Sequence, residues 1–238
     1  EADLTAWPRR RRAALVNSLS GFKSANLLGT RSAGGQENLA MISSVFHLGA
    51  EGLHEGLGLK VVGDDILVVQ RGELSRLRDL DGDGTFETID TITQDWGMTG
   101  NYHEFAFGLP KDEAGNLYFS LNLAFLNPEW WHGKSRAPER GCVLRIAPDG
   151  TVTQVITHEV DRPNGIHITP DDRHLYVVDN NNDNLGVARA VWRFDLTADG
   201  NVVAKSRKKM HDFGQGRGGD GMALDVDGRL YVAAGRTV

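Results

Sequence analysis

The chain has 238 residues, a formal net charge of −6 and an apolar fraction of 40%, which is enough for an ordinary buried core. A pI near 5.7 excludes the basic field that draws proteins to nucleic acid or anionic lipid. The single cysteine, Cys142, excludes an internal disulfide framework, and the sequence contains neither a membrane-spanning apolar stretch nor a signal-peptide core. We therefore expect a soluble protein without nucleic-acid or membrane partners, in a compartment that the sequence does not identify.

The beginning of the chain does not share the pattern of the rest, and we predict an N-terminal segment, residues 1–50, ahead of a second domain, residues 51–238. Residues 8–49 resemble the opening of flavin reductase-like split barrels that bind FMN, through a Ser/Asn-rich loop and an ENLA-SSV strand. The resemblance implies that four polar side chains contact a phosphate: Ser18, Ser24, Asn26 and Ser43. The same residue types are common in turns and at strand ends. Because the resemblance stops at residue 49, we do not expect a complete FMN site.

An acidic segment early in the second domain, DLDGDGTFETID at residues 79–90, has the spacing of a calcium loop. Gly84 permits the sharp turn of such a loop, and Thr85 can offer its backbone carbonyl oxygen. Together with the side-chain carboxylates, this gives oxygen ligands from six residues: Asp79, Asp81, Asp83, Thr85, Glu87 and Asp90. The final position holds Asp where an EF-hand has Glu, and the flanks have the pattern of strands. We predict a structural calcium site in a β context, the alternative being an acidic hairpin turn without an ion.

Three later segments repeat one layout of polar turn, short apolar strand, glycine turn and Leu-Tyr strand: HEFAFGLPKDEAGNLYFSL, RPNGIHITPDDRHLYVVDN and GGDGMALDVDGRLYVAAG. Tyr118, Tyr176 and Tyr231 mark the register, and their spacings of 58 (176 − 118) and 55 (231 − 176) are typical of stacked or radial units. With hairpin patterns between the copies, we predict an all-β protein, a β-propeller of the six-bladed type. At about 40 to 50 residues per blade, residues 51–238 supply about four blades. We therefore expect an incomplete ring whose open sheet edges favour oligomerisation.

The turn ahead of each repeated strand carries a polar residue. In a propeller the innermost strand of each blade begins near the central channel, so Asn164, Asp220 and either His103 or Glu104 would converge on one cavity. Asn and Asp are also frequent in turns, because their side chains bond the local backbone. The pattern supports a shared site and simple turn formation about equally.

The segments PNG at residues 163–165 and DGM at residues 220–222 are similar to segments of SMP-30/gluconolactonase/LRE-like propellers, over roughly residues 150 to 238. The resemblance implies a six-bladed propeller with one divalent cation in the channel and hydrolysis of sugar lactones or related esters. By position, Asn164 would be a metal ligand, and Asp220 a ligand that also serves as general base. Glu104 is the nearest candidate for the third ligand, although HEFAFGLP departs from the EGP segment of the family. The cation would be Ca, Mg, Mn or Zn.

The middle of the chain suggests a second function. The segments GELSRLRDLDGDGTFETID and GNYHEFAFGLPKDEAGNLYFSLN resemble sorbosone or glucose dehydrogenase-like propellers, in which a histidine before a strand serves as base beside a quinone. The resemblance implies that role for His103, but the other cofactor contacts are not identifiable in the sequence. A third hypothesis is a non-catalytic calcium-binding propeller. We rank lactone or ester hydrolysis first.

Overall fold

The computed structural model describes residues 26–31, 37–42, 58–82, 86–99, 104–123, 134–181, 189–225 and 227–234. The chain divides into two units, residues 1–55 and 56–238. In the first unit, β1 (Asn26–Arg31) and β2 (Glu37–Ile42) form an antiparallel pair. Four residues were expected to contact a flavin phosphate. Ser18, Ser24 and Ser43 lie outside the described residues, and for Asn26 only the backbone is described.

The described part of the second unit contains three four-stranded antiparallel sheets and one two-stranded sheet. Blade 1 consists of β3 (Gly58–Val62), β4 (Asp65–Val69), β5 (Leu74–Arg78) and β6 (Thr88–Thr93). Blade 2 consists of β7 (Ala106–Phe107), β8 (Leu117–Leu121), β9 (Val143–Ile146) and β10 (Val152–Ile156). Blade 3 consists of β11 (Pro163–Ile168), β12 (His174–Asp179), β13 (Ala190–Leu196) and β14 (Val202–Asp212). Blade 4 consists of β15 (Gly219–Leu224) and β16 (Leu230–Ala234).

Within each blade, strands that follow one another in the sequence lie side by side, which confirms the predicted all-β propeller architecture. The three marker tyrosines lie in the second strands of blades 2, 3 and 4: Tyr118, Tyr176 and Tyr231. The segments with hairpin patterns form the antiparallel pairs β9/β10 and β13/β14. Over the described ranges, the chain forms no helix with the length and apolar character needed to cross a membrane.

Two apolar clusters fill the spaces between neighbouring blades, and the alternation along β8 explains them. Leu117, Phe119 and Leu121 face blade 1, where the Trp96 and Phe119 ring centroids are 4.7 Å apart. Tyr118, between them in the sequence, belongs to the cluster with blade 3. Because successive side chains of a strand point to opposite faces, a strand between two blades is buried on both sides. The continuous apolar stretch LYF is therefore required by the packing of three blades.

The first strands of successive blades pack backbone against backbone. A side chain at Gly108, whose φ is 74°, would overlap Ile166, and one at Gly165 would overlap the carbonyl oxygen of Asp220. This close approach gathers the starts of β7, β11 and β15 at one end of the blades. A cavity of about 550 Å³ lies at the opposite end, with Leu109 and Thr169 among its lining residues. The repeated polar turns are therefore separated from this cavity by the length of the inner strands.

Candidate functional site

Asn164 lies in a β-bulge at the start of β11. Pro163 is opposite Asp179, and the regular pairing with β12 resumes at Ile166, so Asn164 and Gly165 together face a single residue of β12. A bulge bends its strand and changes the direction of a side chain, and bulges are frequent next to active sites. The Asn-Gly pair therefore does more than form a turn, because it redirects an amide at the beginning of an inner strand.

Asp220 lies in the same bulge of the next blade. Gly219 pairs with the last residue of β16 and the regular pairing resumes at Met222, so Asp220 and Gly221 are the inserted pair. Asn164 and Asp220 thus occupy one structural position in consecutive blades. The repeated sequence position corresponds to a repeated backbone irregularity that redirects an amide in one blade and a carboxylate in the next.

The two bulges are in contact, but the two side chains differ in exposure. Gly165 lies against the backbone of Asp220, and the Asn164 carbonyl oxygen accepts a hydrogen bond from Ser120 of blade 2. The Asn164 side chain is buried, at 3% exposure, whereas Asp220 is exposed. The corner therefore combines a fixed, buried amide with a carboxylate that water can reach.

Glu104 lies near this end of the blades but not at the repeated position. Ala106 pairs with the last residue of β8 as Pro163 pairs with the last residue of β12, so the counterpart of Asn164 on β7 is Phe107. Glu104 is three residues earlier, two positions before β7 begins. It is fully buried, and its Oε2 accepts a hydrogen bond of 2.7 Å from the Thr99 N–H.

Arginine side chains surround Glu104. Arg71 Nε donates to the Glu104 carbonyl oxygen at 3.0 Å. Arg140 is fully buried between blades 1 and 2, and donates to the carbonyl oxygens of Gly97 at 3.0 Å, Phe105 at 2.9 Å and Arg71. Burial, opposed by the Glu104 carboxylate, lowers the pKa of Arg140 to about 10. This nearby positive charge weakens the attraction of Glu104 for a cation.

Four buried side-chain oxygens near the starts of the inner strands have no hydrogen-bond partner among the described residues: Glu104 Oε1, Asn122 Oδ1, Asn164 Oδ1 and Asn181 Oδ1. An unsatisfied buried acceptor costs about 1–3 kcal/mol, so native proteins normally satisfy it with water, an ion or a ligand. Carboxylate and amide oxygens are the ligands that hard divalent cations prefer. The donor set at this end of the blades is therefore chemically suited to such a cation.

Asp179 fixes the turn that precedes Asn164. It is 2% exposed, and its carboxylate accepts hydrogen bonds of 3.1 Å from the N–H groups of both Asp161 and Arg162. Burial raises the pKa of Asp179 to about 7, although these two hydrogen bonds oppose the shift. Sequence reasoning missed this residue because YVVDN has the pattern of an ordinary strand end. Only the hydrogen bonds from the Asp161 and Arg162 N–H groups reveal that the carboxylate caps the entry to β11.

Part of the predicted calcium loop forms a compact acidic group. Asp79, Asp81 and Glu87 bring one ligand oxygen each within 4.8 Å of the others, and in the described part of the chain no other His, Cys, Asp and Glu side chains form such a group. Glu87 Oε2 accepts a hydrogen bond of 2.7 Å from the Leu80 N–H. Asp90 is not in this group, because it lies in β6, where its Oδ2 is 3.4 Å from Arg76 Nη2.

Three predicted site residues of the second unit lie outside the described residues: Asp83, Thr85 and His103. The calcium loop is therefore described only in part, and its ion stays a prediction. The quinone-dependent alternative depended on His103 and has no structural observation in its favour.

Residues 111–238 match the family model described as SMP-30/Gluconolactonase/LRE-like region. This range contains both bulges. A gluconolactonase of Zymomonas mobilis subsp. mobilis is 28% identical in an alignment of 159 positions that covers 61% of this chain and 42% of that protein. The chain therefore spans less than half the length of this curated relative.

Solved structures of the same kind share the fold. A gluconolactonase from Xanthomonas campestris is 17% identical with a TM-score of 0.54, over 89% of this chain and 63% of that chain. Regucalcin from Agrobacterium tumefaciens strain C58, described as a calcium-binding protein, is 16% identical with a TM-score of 0.53, over 87% of this chain and 60% of that chain. A luciferin-regenerating enzyme is 15% identical with a TM-score of 0.55, over 89% and 63%. None of these proteins is a flavin reductase or a quinone-dependent dehydrogenase, so those two resemblances are without support.

Proposed function

The chain belongs to the SMP-30/Gluconolactonase/LRE-like family, and from that premise we propose that it is a lactonase-type hydrolase of sugar lactones or related esters. The observation that carries the proposal is the pair of bulges within the matched residues. The backbones of the two bulges are in contact, and one bulge carries the buried Asn164 amide while the other carries the exposed Asp220 carboxylate, which supports a shared site. An oxygen ligand for a metal ion and a proton acceptor are the groups that metal-assisted ester hydrolysis uses.

We propose further that a divalent cation binds at this corner, held by Asn164 and Asp220 with Glu104 as the third candidate ligand. The buried, unpartnered Oδ1 of Asn164 and Oε1 of Glu104 support this, since neither has a donor among the described residues. When bound, such a cation polarises a carbonyl group and acidifies water. Asn164 is the ligand with the stronger support, because Arg140 lies close to Glu104.

Two residues of the chain have separate roles in the proposed reaction: Asp220 transfers a proton, and Asn164 is held in a fixed position. As water attacks the lactone carbonyl carbon, the Asp220 carboxylate accepts the proton that the water loses. The acyl carbon–oxygen bond of the ring then breaks, and the protonated Asp220 returns its proton to the ring oxygen, which becomes a hydroxyl group while the carboxylate is regenerated. Asn164 stays in place through the hydrogen bond that its carbonyl accepts from Ser120 and through the turn capped by Asp179.

The proposal is tested by the turnover of glucono-δ-lactone, followed by acid release. Asp220→Asn keeps the shape of the side chain but removes the base, and should lower kcat by about 100-fold or more. Asp64→Asn, an exposed aspartate in the turn between β3 and β4, is the matched control and should keep wild-type turnover. Equal turnover by Asp220→Asn and the wild type would refute the assigned role, and absence of wild-type turnover on lactones and esters would refute the function.

A further inference from the structure

Asn122 lies beside the Asn164 corner without belonging to the proposed ligand set. It follows β8 directly, and two hydrogen bonds to the strand start at β11 lie on either side of it. Ser120 Oγ donates to the Asn164 carbonyl oxygen, and Arg162 Nη2 donates to the Leu123 carbonyl oxygen at 2.7 Å. Because these bonds bracket Asn122, its backbone is held against the beginning of β11.

The Asn122 side chain is buried but incompletely bonded. It is 4% exposed, and its Oδ1 has no hydrogen-bond donor within the described ranges. Asn116, just before the other end of β8, is similarly buried at 6% exposure, but its Nδ2 donates to Asp112 Oδ2 at 2.7 Å. Blade 2 therefore contains one asparagine with a structural partner, and a second whose acceptor oxygen has no donor among the described residues.

A second acceptor of the same kind lies on the other side of the turn before Asn164. Asn181 Nδ2 donates to Asp161 Oδ2 at 3.3 Å, while the buried Asn181 Oδ1 has no partner in the described structure. Each of these two neutral amide oxygens can accept a hydrogen bond from an O–H or N–H group of ordered water or of a bound molecule. Hydroxyl groups of a bound molecule supply such donors.

We infer that Asn122 is a specificity-determining residue whose Oδ1 accepts a hydrogen bond from a hydroxyl group of a polyhydroxylated ligand. The proposed function supplies the class of ligand, the sugar lactones and their open-chain acids, and the inference rests on it in that respect. A pocket with a fixed acceptor rejects the analogue that lacks the hydroxyl, because the acceptor is then left buried and unpaired. Asn122 thus distinguishes ligands that carry the hydroxyl group from analogues that lack it, and it has no role in the chemical step.

The test compares two six-carbon acids that differ in their hydroxyl groups, D-gluconate and hexanoate, by calorimetric titration of the purified chain. We expect the wild type to bind D-gluconate more tightly, and Asn122→Ala to weaken D-gluconate binding about tenfold while hexanoate binding stays unchanged. Asn116→Ala is the matched control, and should keep both affinities even where it lowers stability.

Asn122→Leu is a second variant that separates a loss of binding from a loss of folding. It fills a similar volume and removes the unpaired acceptor, so its Tm should equal or exceed that of the wild type while the preference for D-gluconate is lost. Unchanged D-gluconate affinity in both variants, or equal losses for both acids, would overturn the inference, as would a wild type without preference for D-gluconate. A wild type that prefers D-gluconate but hydrolyses no lactone would refute the proposed function and leave this inference standing.

Discussion

The bulge that contains Asn164 rests directly against the bulge that contains Asp220, with Gly165 facing the Asp220 carbonyl oxygen. Two functional candidates 56 positions apart (220 − 164) are therefore positioned by one backbone contact between blades. Any change that separates the two strands should disturb both side chains together.

Gly165→Ala should be destabilising, because the added methyl group would overlap the carbonyl oxygen of Asp220. Overpacking of this kind costs about 1–3 kcal/mol in the free energy of unfolding, which denaturant titration measures. Gly221→Ala is the matched control, since it occupies the same bulge position in blade 4 and has no atom within 4 Å of the added carbon. Equal stability of the two variants would contradict the described contact between blades.

The free energy of unfolding should depend on pH through the titration of Asp179. Its pKa is raised to about 7 by burial, above the value of about 4 for an exposed aspartate, so the folded chain binds this proton more tightly than the unfolded chain does. The contribution of Asp179 is therefore complete below pH 4 and is lost as the pH rises towards and through 7. Denaturant titrations from pH 4 to pH 8 should show this loss in the wild type, and Asp179→Asn should reduce it. A decline of the same size in Asp179→Asn would assign it to other groups.

Cys142 should be unreactive in the folded protein. Its side chain is buried, its Sγ is 3.9 Å from the carbonyl oxygens of Pro138 and Thr157, and burial raises the pKa of the thiol to about 12. Since the thiolate is the reactive form, a disulfide reagent at pH 8 should label the native chain slowly and the chain unfolded in guanidinium rapidly. Rapid labelling of the native chain would contradict the described burial.

Calcium should stabilise the chain through the acidic group around Asp81. We expect calcium to raise the Tm, because an ion that binds only the folded form stabilises it by RT ln(1 + [L]/Kd), about 2.7 kcal/mol at 100 times Kd. Asp81→Asn should abolish most of this shift, whereas Asn164→Ala should retain it, since it alters the other candidate metal site. A calcium shift that persists in Asp81→Asn and is lost in Asn164→Ala would assign the stabilisation to the Asn164 corner and remove the loop from consideration.

The sequence pattern located the two backbone irregularities at Asn164 and Asp220 because their behaviour is local. Asn164 and Asp220 are each followed by glycine and precede a short apolar strand, and this pattern indicates a special backbone position wherever it occurs. Glu104 was harder to assign, because its offset from that position depends on the pairing of β7 with β8. That pairing cannot be deduced from a strand of two residues.

By itself, the sequence determined the alternation and turn chemistry of this protein: which stretches become strands, where the chain reverses, and which repeats share a register. These properties depend on residues that are only a few positions apart, so short stretches of sequence are enough to predict them. Only the tertiary structure decided that the two bulges touch, that Arg140 approaches Glu104, and that the buried Asn122 oxygen has no donor in the part of the chain that the structure describes. Such relationships join residues that are distant in the chain, and they exist only when the packing of blades removes water from between them.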